Sequence, residues 1–220
     1  MSFEMFIAIG TALMLVVMLV ANRHYGYHPA KVILAGLLLT AAGIIGAKLM
    51  AMIESGIWGG KSFYGALFFA PLIMLPVALA LRIPYSRLMD LCAPAECVML
   101  ALLKVQCLYD GCCFGRLLGI SSSGRAIRFP SQIVECVSAL LLMAVLLIII
   151  RRGRAKGTVY PWYMVLYGVM RFILNLFRET TPFIWILPAG NFWSLVSLVL
   201  GGALLLIALR RRGRAAGAPR

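Results

Sequence analysis

Tyr167, Arg171, Asn175 and Arg178 recur at intervals of three or four residues through an otherwise apolar stretch, so a helix there carries a single polar stripe. A guanidinium so placed suits a phosphate, because its planar donors engage two oxygens at once and its charge does not titrate away. Lys48 and Lys104 are further cations inside apolar runs, and Tyr64, Gln132 and Glu135 are further polar groups. Each ionised side chain costs roughly 2.5–3.5 kcal/mol to place in a membrane helix, so several at one depth argue for a shared polar site. The natural anionic ligand at that depth is a phospholipid headgroup. The competing explanation is structural: an Arg171–Glu135 ion pair that only ties two helices together, with Lys48 and Lys104 snorkelling to headgroups.

The elements that must position these groups follow from composition. At 220 residues, 63% hydrophobic and 13% charged with a mean hydropathy of +0.97, the chain is too apolar for a water-soluble domain. It reads as one integral membrane domain over 1–220, all-α and polytopic, with spans at 5–21, 32–53, 63–81, 88–108, 133–150, 158–177 and 186–209. The fourth span carries Asp90, Glu96 and Lys104, and is stable only if these face protein or water.

Charge asymmetry sets the expected orientation. Arg23, Lys31, Arg82, Arg87, Arg151, Arg152, Arg154, Lys156 and the five arginines after residue 209 fall on one side of a seven-span chain. Lys61, Arg116, Arg125, Arg128 and Arg178 fall on the other. The positive-inside rule then puts the amino terminus outside and the carboxyl terminus in the cytoplasm, of a plasma membrane crossed many times. The first span has Glu4 before it and Arg23 after it, the pattern of a retained helix rather than a cleaved leader. The net charge of +14 sits at the ends of apolar runs, with a basic cytoplasmic tail at 210–220, so membrane lipid and not nucleic acid is the expected partner. With this topology Lys48, Tyr64, Lys104, Gln132, Glu135, Arg171 and Asn175 all fall in the outer half of the membrane.

The longest outer connection, 109–130, contains Asp110, Gly111, Cys112, Cys113, Phe114, Gly115 and Arg116, then Ser121, Ser122, Ser123, Gly124 and Arg125. Connections of that length line a site more often than they simply join helices. Of the six cysteines, Cys92, Cys97, Cys107, Cys112, Cys113 and Cys136, none forms a C-x2-C pair, and His24 and His28 fall on the opposite side. No metal site is expected from this spacing. The cysteines read as ordinary buried thiols, with a structural disulfide and a reactive nucleophile as alternatives.

Taken in order, Gly46-Ala47-Lys48, Ser62-Phe63-Tyr64-Gly65, Asp90 with Pro94, Gly111 and Gly115-Arg116, Pro130-Ser131-Gln132 with Glu135, Tyr167-Gly168 with Arg171-Phe172, Arg178 and Trp193-Ser194 resemble the bacterial prolipoprotein diacylglyceryl transferases. The resemblance runs from the second span to the seventh. Members of that family usually carry His at Tyr64, Arg at Lys104, Asn at Cys107, Glu at Cys112, His at Phe129 and Glu at Asn175. The resemblance implies a seven-helix enzyme, with no cofactor, that moves a diacylglyceryl group from phosphatidylglycerol to the lipobox cysteine thiol of a secreted precursor, leaving a thioether and glycerol phosphate. It implies catalytic roles for Arg171, Tyr64, Lys104 and Glu135. Arg171 and Lys104 suit the phosphate, while Tyr64, Glu135 and Asp110 are the candidate proton acceptors. Tyr167, Gln132, Arg116, Asp110, Gly111, Gly115, Gly65, Lys48, Asn175 and Arg178 become substrate-binding candidates. The alternatives are a non-catalytic phospholipid-binding or lipid-moving protein on the same scaffold, and a thiol-redox membrane protein.

Overall fold

The structure, a computed structural model, describes residues 3–56, 62–122, 126–153, 156–178, 183–184 and 186–216, with the side chains of Ser55 and of 212–216 excepted. Lys61, Ser123, Gly124, Arg125, Arg154 and Arg220, all used in the sequence reading, lie outside the described residues. Seven helices are described: α1 (Phe3–Asn22), α2 (Pro29–Ser55), α3 (Phe63–Leu81), α4 (Tyr85–Tyr109), α5 (Ser131–Arg151), α6 (Val159–Asn175) and α7 (Ala189–Ala216). Their bounds follow local chemistry. Pro29 opens α2 behind His28, whose ring accepts the Ala30 N–H, and Gly56 closes it in the left-handed conformation at φ 68°.

Six of the seven helices are long and apolar enough to cross a membrane. The exception is α6, whose 17 residues span about 26 Å against roughly 30 Å of hydrocarbon. Rows of exposed large apolar side chains, such as Leu72, Leu79, Leu141 and Val199, face outward as only lipid allows. The chain is a multi-pass membrane protein.

Packing neighbours define the layout. α1 packs on α2, α2 on α3, α6 on α7, α5 on α6 and α5 on α1. The ring closes between α3 and α7, where the Tyr64 hydroxyl donates to the Gly190 carbonyl at 2.8 Å and Phe68 packs on Trp193. Inside that ring stands α4, in contact with α1, α3, α5 and α6. Its most apolar window is 67% buried, against 17–33% in the other five candidate spans. The helix with the most ionisable groups is therefore the one shielded from lipid, as the cost of bare charge in hydrocarbon requires: Asp90, Glu96 and Lys104 are all buried.

Two features depart from an all-helical expectation. The α4–α5 connection contains an antiparallel pair, β1 (Leu117–Ile120) with β2 (Ala126–Arg128), and a second short pair, β3 (Phe183–Ile184) with β4 (Leu187–Pro188), precedes α7. Strand pairing satisfies backbone groups that a membrane surface would leave without partners. Further, α6 ends at Asn175 rather than running to 177, so Arg178 does not continue the helical stripe. The carbonyl of Phe177 instead accepts the Arg116 N–H at 2.9 Å, and Arg178 pairs with Gly115 in an isolated antiparallel bridge.

Candidate functional site

The end of the bundle that carries the 109–130 connection is built around Glu135. This carboxylate, one turn into α5, is 2% exposed and meets three cations from three different segments. Lys104, near the end of α4, lies 2.7 Å from Oε2. Arg171, three turns along α6, hydrogen-bonds the same oxygen. Arg178 reaches Oε1 at 3.5 Å. One carboxylate thus faces three positive side chains, and the cluster keeps two positive charges after pairing. Burying unmatched charge is costly, so the arrangement is stable when an anion completes it.

The placement of Arg178 depends on Gly115. A Cβ at residue 115 would sit 2.5 Å from the Phe129 carbonyl and 2.9 Å from that of Phe177, so only glycine lets the two backbones meet where Arg178 turns inward. On the other side of the cluster, Tyr167 is fully buried, with Tyr64 edge-on to it at 5.9 Å. The hydroxyl of Tyr167, Nε of Arg171 and Oδ1 of Asn175 are buried with no hydrogen-bond partner among the described residues. Buried polar atoms normally have partners, and three unmet ones beside an excess of positive charge offer both donors and an acceptor to a polar ligand.

The remaining sequence candidates separate. Tyr64 is close to Arg171, yet its hydroxyl is held by the Gly190 carbonyl and by Ser194 Oγ at 2.7 Å, and Asn175 Nδ2 approaches the same serine at 3.5 Å. Gln132 is buried and donates to the Cys112 carbonyl at 2.6 Å, while its neighbour Ser131 donates to that of Cys113, also at 2.6 Å. Gly111 makes the turn after α4 at φ 63°, and exposed Asp110 accepts from Gln106 at 3.2 Å. Arg116 is exposed and donates to the Leu176 carbonyl at 3.3 Å, away from Glu135. Lys48 is half-buried in α2 and stands outside the ion-pair cluster. Gly65 meets Gly46 backbone to backbone, which is helix packing between α2 and α3. Ser194 and Ser131 were absent from the expected site, although the Trp193-Ser194 and Pro130-Ser131-Gln132 blocks contained them.

All six cysteines are free thiols. Cys92 and Cys97 are buried as expected, but Cys112 is exposed and Cys107, Cys113 and Cys136 are partly so. The sulfurs of Cys107, Cys112 and Cys113 lie within 4.8 Å of one another. A hydrogen bond with Cys107 lowers the Cys113 thiol to about 5, against the opposing effect of burial and aided by Lys104 and Arg178.

The family model for prolipoprotein diacylglyceryl transferase matches residues 2–207. The phosphatidylglycerol–prolipoprotein diacylglyceryl transferase of Geobacter sulfurreducens is 31% identical over 176 residues, covering 75% of this chain and 66% of that protein. The corresponding protein of Paracidovorax citrulli is 33% identical over 170 residues, covering 71% of this chain and 63% of its own length. That of Verminephrobacter eiseniae is 32% identical over 167 residues, covering 70% and 60%. The chain thus spans slightly under two thirds of the length of these relatives. With the family model matching nearly its whole length, the chain belongs to the prolipoprotein diacylglyceryl transferase family.

Proposed function

We propose that this chain is a bacterial plasma-membrane enzyme of seven spans, amino terminus outside and carboxyl terminus cytoplasmic, that transfers a diacylglyceryl group from phosphatidylglycerol to the lipobox cysteine of a secreted precursor. The observation that carries the reading is the Glu135 cluster with its surplus of two positive charges beside unmet buried polar atoms. The donor brings a phosphodiester, whose single negative charge and oxygens fit that surplus. The names of the relatives, which specify phosphatidylglycerol and prolipoprotein, agree with it. The orientation is supported by Arg151, Arg152 and Lys156 at the end of the bundle opposite the cluster.

In the proposed reaction the acceptor thiolate attacks the glyceryl carbon that bears the phosphate. A sulfur–carbon bond forms, the carbon–oxygen bond breaks, and the departing phosphate oxygen keeps the electron pair. Arg171 and Lys104, held in place by Glu135, stabilise the charge gathering on that oxygen, and Arg178 adds a third positive group. Such preorganised charge is worth most where water is excluded. Tyr167 and Asn175 serve the headgroup through their unmet polar atoms. Gln132 and Gly111 fix the cysteine-bearing turn, Gly115 aims Arg178, and Lys48, Asp110 and Arg116 belong to the approach that substrates take. The acyl chains suit the shallow apolar groove formed by Leu187 of β4 with Phe192, Leu195 and Val199 of α7.

A specific observation favours one second reading. The Tyr64 hydroxyl is already committed to Gly190 and Ser194, and Glu135 is surrounded by cations, so neither is free to take the thiol proton. A phospholipid-binding protein without turnover has no need of a proton acceptor. Incubating purified protein with labelled phosphatidylglycerol and a lipobox peptide separates the two. Transfer of label to the peptide, reduced roughly 100- to 1,000-fold in Arg171→Ala, is the expected result. Saturable phospholipid binding with no label on the peptide overturns the transferase reading.

A further inference from the structure

The three sulfurs gathered at the end of α4 have no part in phosphate binding, yet the fold holds them with unusual care. Cys107 sits in the last turn of α4, and the Cys112 N–H bonds back to its carbonyl at 3.0 Å. Ser131 and Gln132, at the start of α5, grip the carbonyls of Cys113 and Cys112. Cys113 itself is held at φ 60°, a left-handed conformation that a side-chain-bearing residue adopts only at a cost. Two segments thus keep three thiols within 4.8 Å of one another. Sulfurs bound to one tetrahedral zinc at about 2.3 Å are about 3.8 Å apart, so only a small movement is needed to close them on an ion.

We propose that Cys107, Cys112 and Cys113 form a three-thiolate site for a soft, thiophilic cation such as Zn²⁺, with the acceptor thiol of the substrate as its fourth ligand. Charge agrees with this. Three thiolates around a divalent ion carry one net negative charge, and the neighbouring Glu135 cluster carries two positive ones. A phosphodiester supplies the remaining negative charge, so the site with donor bound and water in the fourth position is neutral. The entering acceptor thiolate brings it to one net negative charge, which the departing phosphate carries away. A lone thiolate trio would repel itself, and a metal with neutral ligands would be repelled by Lys104 and Arg178; the anionic zinc–thiolate complex is the species this surrounding favours.

The fourth position rests on the transferase reading and resolves its missing proton acceptor. A thiol that binds the metal loses its proton to water and stays a thiolate, poised to form the sulfur–carbon bond without help from Tyr64. Zinc is unchanged by the reaction. An open fourth position also matches the general pattern of catalytic rather than structural zinc sites.

The test uses the full chain, purified in detergent with reductant, and Co²⁺ and Zn²⁺ as probes. One equivalent of Co²⁺ should give an intense near-ultraviolet sulfur-to-cobalt band, abolished by one equivalent of Zn²⁺. Cys107→Ser, Cys112→Ser and Cys113→Ser should each weaken Zn²⁺ binding more than about 100-fold, while Cys136→Ser leaves it unchanged. A lipobox peptide bearing cysteine should shift the visible cobalt bands, and its serine counterpart should not. Absence of the sulfur–cobalt band in folded protein overturns the site. So does loss of two hydrogens from this trio in protein taken from native membranes, the mark of a disulfide. Label transfer that proceeds undiminished after the metal is stripped overturns the activating role and leaves the transferase reading standing.

Discussion

Two buried carboxylates at opposite ends of the bundle are treated in opposite ways. Asp90 and Lys104 lie fourteen positions apart on α4, about 21 Å along its axis, so the Asp90 region and the Glu135 region lie toward opposite ends of the bundle. Asp90 accepts the Tyr25 hydroxyl at 2.8 Å, the Val159 N–H at 2.8 Å, the Tyr160 N–H at 3.4 Å and the Gly157 N–H. Those amides belong to the start of α6, where a carboxylate also complements the helix dipole. These four donors are all neutral groups. Glu135 instead gathers three cations and leaves polar atoms of Tyr167, Arg171 and Asn175 unmet. A satisfied buried acid holds helices together; an oversupplied one marks the place where something else binds.

That contrast can be broken by substitution. The largest effect is expected for Glu135→Ala, which leaves three cations without a counterion and should cost about 3–5 kcal/mol of stability. Thermal unfolding in detergent should show part of that loss restored by phosphatidylglycerol but not by phosphatidylcholine; equal rescue by both lipids would argue against an anion site. Asp90→Asn should cost less, about 1–3 kcal/mol for the amide donor turned toward the α6 N–H groups, with no difference between the two lipids. Selective rescue here would erase the distinction between the two regions.

Gly115→Ala sharpens the picture within the Glu135 region. Its added methyl presses on the Phe129 and Phe177 carbonyls and pushes Arg178 outward, at a cost of about 1–3 kcal/mol. The expected readout is a fall in kcat together with a rise in KM for phosphatidylglycerol, because Arg178 acts on the charge that develops on the leaving oxygen. Arg116→Ala should do least. Its guanidinium bonds an exposed backbone carbonyl, so stability should change by less than about 0.5 kcal/mol and transfer should stay within twofold of the parent.

Much of this architecture was legible in the order of residues. Six helices satisfying the length and composition of a membrane span lie close to the expected spans, because apolar run length is a local property that hydrocarbon thickness reads directly. The cost of charge in lipid likewise pointed to one shared polar site for Lys104, Glu135 and Arg171; the Arg171–Glu135 ion pair of the competing structural explanation is present, and Lys104 joins it instead of snorkelling. The helical stripe of Tyr167, Arg171 and Asn175 needed only a period of 3.6 residues. Arg178 joined the same site by a different route, through a backbone bridge to Gly115 that no periodicity encodes.

Sequence by itself therefore determined the solvent, the helices and which side chains were too costly to face lipid, since each depends on a residue and its near neighbours. Only the tertiary structure decided that α4 stands at the centre, that Tyr64 is tied to Ser194 across 130 positions, and that three cysteines without a metal-like spacing meet beside a surplus of positive charge. Those are distances between segments, fixed by how helices pack around one another, and a linear pattern carries no measure of them.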